Sequence, residues 1–142
     1  VHTFPVALDL EKYNIQQNPS LHKSIGYIGS MDWRPNLEGI DWFLEKVWPS
    51  IKQLDAGITF HLAGKNMPKY LEGLNSESFI LEGEVDDATA FIARQHVLIV
   101  PLLSGSGMRV KIIEAMALGK CIIATSIAAE GIHYQHDMNI LI

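Results

Sequence analysis

An open, parallel α/β sheet of about six strands with helices on both faces is the fold that this sequence predicts, and three observations predict it. Short apolar runs alternate with stretches of helical periodicity along the chain. The apolar runs carry almost no polar residues, as strands covered on both faces must. Glycines and polar residues follow the carboxyl ends of those runs, where doubly wound sheets bind their ligands.

Taken in order, residues 1–24 have no pattern of their own. Residues 4–10 read as extended and Asn18-Pro19-Ser20 as a turn. We expect an entry segment packed on the domain, with more chain before Val1. Ile25-Gly26-Tyr27-Ile28-Gly29 is a first strand ending at glycine, and the loop Ser30-Met31-Asp32-Trp33-Arg34 follows. Pro35 and Asn36 open a helix. Leu37, Ile40, Leu44, Val47, Ile51 and Leu54 then recur at three- and four-residue spacing, with Asp41, Glu45, Lys46 and Lys52 off the stripe. That spacing predicts an amphipathic helix of four to five turns, kinked or restarted at Pro49, which removes an internal hydrogen bond. Residues 58–63 form a second strand, stopped at Gly64-Lys65, and a short helix covers residues 68–74. Phe79-Ile80-Leu81 is a third strand, followed by Glu82-Gly83-Glu84-Val85. Asp86 or Asp87 caps a short helix containing Ala90 to Ala93. Residues 97–100 are a fourth strand, 121–124 a fifth and 139–142 a sixth.

Bulk numbers bound the function. A chain of 142 residues suggests one domain, here 25–142, and 48% hydrophobic with 19% charged residues is globular rather than disordered. A net charge of −5 argues against nucleic acid as a partner. The single cysteine, Cys121, allows no intrachain disulfide and reads as a small core residue; the usage fits a reducing, cytoplasmic setting. No apolar run approaches the roughly 18–20 residues of a membrane span, so at most peripheral membrane contact is expected. His133 and His136, three apart without a third ligand, make a poor metal site, and no metal is expected. His61, inside a strand, reads as a core residue.

The chemistry concentrates between the fourth strand and the helix after it. The strand Val97-Leu98-Ile99-Val100 runs into Ser104-Gly105-Ser106-Gly107-Met108, and the helix opens with Arg109 and Lys111. Free N–H groups and the positive end of the helix dipole favour an anion there. Two cations in a first turn run against the dipole, a local rule broken where a phosphate would justify it. Glu114 reads either as a ribose anchor or as a partner of Lys111 one turn earlier. Gly29-Ser30 and Lys65 fall at the same end of the sheet. Trp33, Trp42 and Trp48 read as core or interface residues rather than sugar platforms, with Trp33 the exception to watch because it lies in the loop after the first strand.

Residues 104–119, Ser-Gly-Ser-Gly-Met-Arg-Val-Lys-Ile-Ile-Glu-Ala-Met-Ala-Leu-Gly, resemble the signature helix of the group-one glycosyltransferases, retaining enzymes of the two-lobed GT-B type. The flanking pieces are similar too, in the family's order. They are Val6-Ala7-Leu8-Asp9, Ile28-Gly29-Ser30-Met31 with Pro35-Asn36, Leu62-Ala63-Gly64, Glu82-Gly83-Glu84-Val85, Val100-Pro101-Leu102, and residues 119–125 with Glu130-Gly131. The resemblance implies a Rossmann-like carboxyl-terminal lobe that binds the nucleotide-sugar donor, UDP- or GDP-linked, with no cofactor. An amino-terminal lobe would bind a glycan or lipid-linked acceptor.

Residue by residue, the resemblance implies that Glu114 holds the donor ribose, and that the backbone of Gly105, Ser106, Gly107 and Met108 with Arg109 and Lys111 meets the diphosphate. The family's other phosphate-binding cation would be Lys65; Arg34 lies in the first-strand loop without a clear counterpart. The base would lie near Glu82 and Val85, and Gly29 and Ser30 would line the donor site. The family usually carries a glutamate eight residues before Glu114, and this chain has Ser106 there. Two other readings share the architecture: a two-lobed nucleotide-sugar epimerase, and a non-catalytic nucleotide- or sugar-phosphate-binding regulatory domain.

Overall fold

A computed structural model describes residues 8, 9, 13 and 23–142. The extended stretch and turn expected within residues 1–22 lie outside the described residues, apart from those three positions. The elements are β1 (Ser24–Ile28), α1 (Arg34–Trp42), a π-helical turn (Phe43–Val47), α2 (Trp48–Leu54), β2 (Thr59–Ala63), α3 (Lys69–Glu72), β3 (Phe79–Gly83), α4 (Ala88–Arg94), β4 (Val97–Val100), α5 (Val110–Ala117) and β5 (Cys121–Ala124).

All strand pairs are parallel, in the order β3-β2-β1-β4-β5. The chain lays down β1, β2 and β3 in one direction, then returns to the far side of β1 for β4 and β5. The reversal between β1 and β4 makes their carboxyl ends the topological switch point, where such sheets open a crevice.

Alternation along each strand divides the core into two layers. Ile25, Tyr27, Phe60, Leu62, Phe79 and Ile99 face Ile40, Phe43, Trp48 and Leu71 of the α1–α3 layer. Leu98, Val100, Ile122 and Ala124 face Phe91, Ile92, Ile112 and Ala115 of α4 and α5. Phe60 anchors the first layer, with ring centroids 4.8 Å from Phe43, 5.7 Å from Trp48 and 5.6 Å from Phe79. Each such aromatic pair is worth about 0.5–1.5 kcal/mol beyond the area it buries.

Local chemistry sets the ends of the elements. Asp87 caps α4 by accepting the Ala90 N–H at 2.9 Å. After α5 the chain turns at Gly119, whose φ of 63° suits glycine; Lys120 N–H donates to the Ala115 carbonyl and Gly119 N–H to that of Met116. The helix with Pro49 is continuous rather than restarted. Proline leaves a carbonyl one turn earlier without its donor. The chain absorbs this in the π turn, where Trp48 N–H donates to the Phe43 carbonyl.

Three expectations need correction. Among the described residues the sheet has five strands, not six: the segment at 139–142 makes only isolated bridges, Ile123 with Leu141 and His136 with Ile140. Asp137 at φ 64°, with Asn139 accepting the Gln135 N–H through its side chain, curls that segment before it can extend. Second, Cys121 is exposed. It lies on β5, which pairs with β4 on one side, and there Cys121 and Ile123 face outward while Ile122 and Ala124 are buried. Third, His61 is hydrogen-bonded to a carboxylate rather than packed in the apolar core: its Nδ1 lies 2.7 Å from Glu82 Oε1, and Glu82 also pairs with Arg94.

Candidate functional site

The loops at the carboxyl ends of the strands are stitched together side by side. Gly29 N–H donates to the Ala63 carbonyl at 3.0 Å and Met31 N–H to the Lys65 carbonyl at 2.9 Å, joining the loops after β1 and β2. Gly64 N–H donates to the Gly83 carbonyl at 2.7 Å, adding the loop after β3. The crossing at Gly64 is close: a Cβ there would stand 1.8 Å from the Gly29 carbonyl oxygen, and its φ is 142°. Only glycine fits. On the other flank, Ser104 Oγ donates to Glu38 of α1 at 3.0 Å, and the Trp33 ring would meet a Cβ on Gly105 at 3.1 Å.

Arg109 is the N-cap of α5, and its buried side chain folds back on its own loop. Its Nη1 donates to the carbonyls of Ser106, at 2.7 Å, and of Gly107. Because the peptide is trans and planar, this points the N–H groups of Gly107 and Met108 away from the guanidinium. Trp33 lies over the guanidinium, 5.1 Å from ring centroid to Cζ. Among the described residues, Nε and Nη2 of Arg109 are buried without a hydrogen-bond partner. Leaving buried donors unpaired costs about 1–3 kcal/mol, and an anion would relieve it. No side chain caps α5 and its first turn holds no acidic residue, so its positive end is uncompensated.

Lys111 reaches from α5 to the end of β1. Its Nζ donates to the Ile28 carbonyl at 2.6 Å and to Tyr27 Oη at 3.2 Å, and lies 4.3 Å from the Tyr27 ring centroid. A Cβ on Gly29 would stand within 3.0 Å of Asn36 Nδ2, Lys111 Nζ and Tyr27 Oη together. A lysine from α5 thus delivers its amine to the end of the first strand. Burial, and then the neighbouring Arg109, lowers its pKa to about 7. Burial also holds the Tyr27 hydroxyl well above its ordinary range, with Arg109 opposing. Asn36 donates to the Ser30 carbonyl at 2.8 Å while its Oδ1 is buried and unpaired.

The structure therefore brings together Gly29, Ser30, Gly105, Ser106, Gly107, Met108, Arg109 and Lys111 at the switch point. It adds Trp33, Asn36 and Tyr27. Trp33 was marked by its loop alone; no spacing or composition signals the stacking on Arg109. Lys65 lies one loop away, exposed and paired with Glu84 at 2.9 Å. Glu114, one turn along α5 from Lys111, accepts from Tyr13 Oη at 3.3 Å, so the helix-surface pair with Lys111 does not form. Desolvation, and then the contact with Glu114, raises the Tyr13 pKa. Val85 packs against the α4–α5 core layer. Glu82 sits inside β3 rather than in the loop after it, bound to His61 and Arg94. A register shift between β2 and β3 at Leu62/Ala63 accommodates it. Arg34 is turned to Glu38 at 2.7 Å.

Two surface hollows of about 460 and 470 Å³ open at the opposite, amino-terminal ends of β5 and β2, and hold none of these residues. Among the described residues no group of three His, Cys, Asp or Glu is placed to hold a metal ion, and no helix is long and apolar enough to cross a membrane.

The model of a known family, "Glycosyl transferases group 1", matches residues 22–142. An uncharacterized 44.6 kDa protein in the cps region of Klebsiella pneumoniae is 26% identical over 125 residues, covering 82% of this chain and 32% of that protein. The crystal structure of TarM superposes with a TM-score of 0.64 at 19% identity, over 84% of this chain and 25% of that one. Anabaena HepE, solved with UDP and glucose, gives 0.63 at 17% identity, over 93% and 37%. This chain thus spans about a third or less of the first proteins it matches.

Proposed function

The chain belongs to the group 1 glycosyl transferases, and from that premise we propose that it is the donor-binding lobe of an enzyme that moves a sugar from a nucleoside diphosphate to a hydroxyl acceptor. The observation that carries this reading is the pair of buried, unpartnered nitrogens of Arg109 beside the uncapped start of α5. An anion placed there would gain charge-assisted hydrogen bonds, a helix dipole and the N–H groups of the glycine loop together.

In the reaction, the bond between the anomeric carbon and the diphosphate oxygen breaks, and the acceptor oxygen bonds to that carbon as its hydroxyl proton leaves. Negative charge grows on the leaving diphosphate. Arg109, Lys111 and the end of α5 meet it where it grows, which lowers the barrier without a metal ion. Glu114 holds the vicinal ribose hydroxyls by accepting from both. Lys65 adds a second cation from the β2 loop once its pairing with Glu84 opens. The base lies over Gly83 to Val85, against backbone groups. Ser106 supports the sugar through its hydroxyl rather than through a carboxylate. The acceptor, a glycan or a lipid-linked sugar, approaches from an amino-terminal lobe, in a cytoplasmic protein that meets membranes peripherally at most.

The test is product analysis on the full-length protein with UDP- and GDP-linked sugars and a mixed acceptor pool. We expect free nucleoside diphosphate in equal amount to a new glycoside. Release of a free epimerised sugar would identify the epimerase alternative instead, and tight binding without turnover would identify a regulatory domain.

A further inference from the structure

Building on the diphosphate reading of this crevice, we infer that Lys111 is a proton-coupled anchor: its amine takes up one proton as a nucleoside diphosphate enters and returns it as the diphosphate leaves. The geometry is that of an amine without a counter-charge. From β1 it faces the Ile28 carbonyl and the Tyr27 phenol, both neutral. From α1 it faces the Asn36 amide, which meets it at Gly29. From the start of its own helix comes the Arg109 guanidinium, a like charge two residues away. Glu114, the carboxylate one turn along, is engaged by Tyr13. Among the described residues no carboxylate pairs with Lys111.

A buried amine in such surroundings favours its neutral form, and this one titrates near pH 7. A diphosphate changes the balance by bringing negative charge against the same nitrogen, which moves it back toward the ordinary lysine range. The proton comes from solvent and resides on Nζ; no bond of the ligand is altered. Binding above neutrality is then weakened by the proton it must recruit. Release of the nucleoside diphosphate, the product of the proposed transfer, speeds up with rising pH.

Calorimetry of UDP binding to the full-length protein tests this, run at pH 8 in buffers of different ionisation enthalpy such as Tris and HEPES. The terminal phosphate of UDP is already ionised at that pH, since its second pKa is about 6. We expect uptake of most of a proton per UDP at pH 8 and a smaller fraction at pH 7, from a free amine titrating near 7. The affinity should fall about tenfold per pH unit between pH 7.5 and 9. Lys111→Met should bind more weakly, with neither uptake nor slope. Lys111→Arg, permanently charged, should bind without the slope; the wild-type proton count stands even if neither variant folds. UDP binding with heats independent of the buffer, or uptake that survives in Lys111→Met, would overturn the proton coupling and leave the diphosphate site intact. If UDP, GDP and ADP all fail to bind at pH 6.5, where the amine is charged, the diphosphate reading falls and the coupling with it.

Discussion

Arg109 and Lys111 stand two residues apart and solve different problems. Arg109 shapes the loop that it would use: by holding the Ser106 and Gly107 carbonyls it turns the following N–H groups outward, and it keeps two donors in reserve. Arg109→Ala should therefore lose both a charge-assisted contact, worth about 1.5–3 kcal/mol, and the loop shape; affinity for a nucleoside diphosphate should fall about tenfold to a hundredfold by calorimetry. Trp33→Ala removes the ring over the guanidinium and the packing on Gly105. A loss of about threefold to tenfold is expected, with Trp33→Phe in between, since a cation over an aromatic face is worth about 0.5–2 kcal/mol. At this scale the sequence disclosed the loop and its two cations, because glycines before a basic helix start are a local pattern. It did not disclose that Lys111 reaches the end of β1 or that Trp33 covers Arg109. Those contacts join residues about 80 positions apart and depend on which strands become neighbours.

Among the elements, the one with least freedom is the turn at Gly64. Gly64→Ala forces a Cβ onto the Gly29 carbonyl in a backbone conformation that side chains avoid. It should destabilise by about 2–4 kcal/mol and loosen the loops after β1 and β2 together, read out as a lower midpoint in denaturant unfolding. Asp87→Ala, which uncaps α4, should cost only about 1 kcal/mol by the same measurement. Strands and helices were legible because period and punctuation are local: β4 and β5 fall where the apolar runs do, and Asp87, beside Asp86, has the side chain a helix start needs. The failures were failures of partnership. A run such as Asn139-Ile140-Leu141-Ile142 looks like a strand, yet its chain curls at Asp137 first. Cys121 looks buried, yet it points outward from β5. Pro49 announced an irregularity, but whether a helix breaks or widens is decided by the packing of Phe43 and Trp48 on Phe60.

For the whole molecule, double winding places five loops at one edge and sets β1 beside β4, so that groups scattered from Tyr27 to Lys111 share a crevice. Gathering cations there has a cost in stability that pH exposes. The Lys111 amine titrates near 7 when folded and near 10.5 when unfolded, so between those values the unfolded chain binds more protons. Its contribution to stability should rise with pH across that window, by up to about 1.4 kcal/mol per unit, and below about pH 7 the penalty is complete. Thermal unfolding should show that rise in the wild type and lose it in Lys111→Met. The most direct test of the central claim is a titration of UDP and of GDP into full-length protein, wild type and Arg109→Ala, near neutral pH. A saturable one-to-one heat with at least one nucleotide, weakened tenfold or more in Arg109→Ala, is the result predicted. Silence with both, or an Arg109→Ala protein that binds as the wild type does, would contradict a diphosphate site at the switch point.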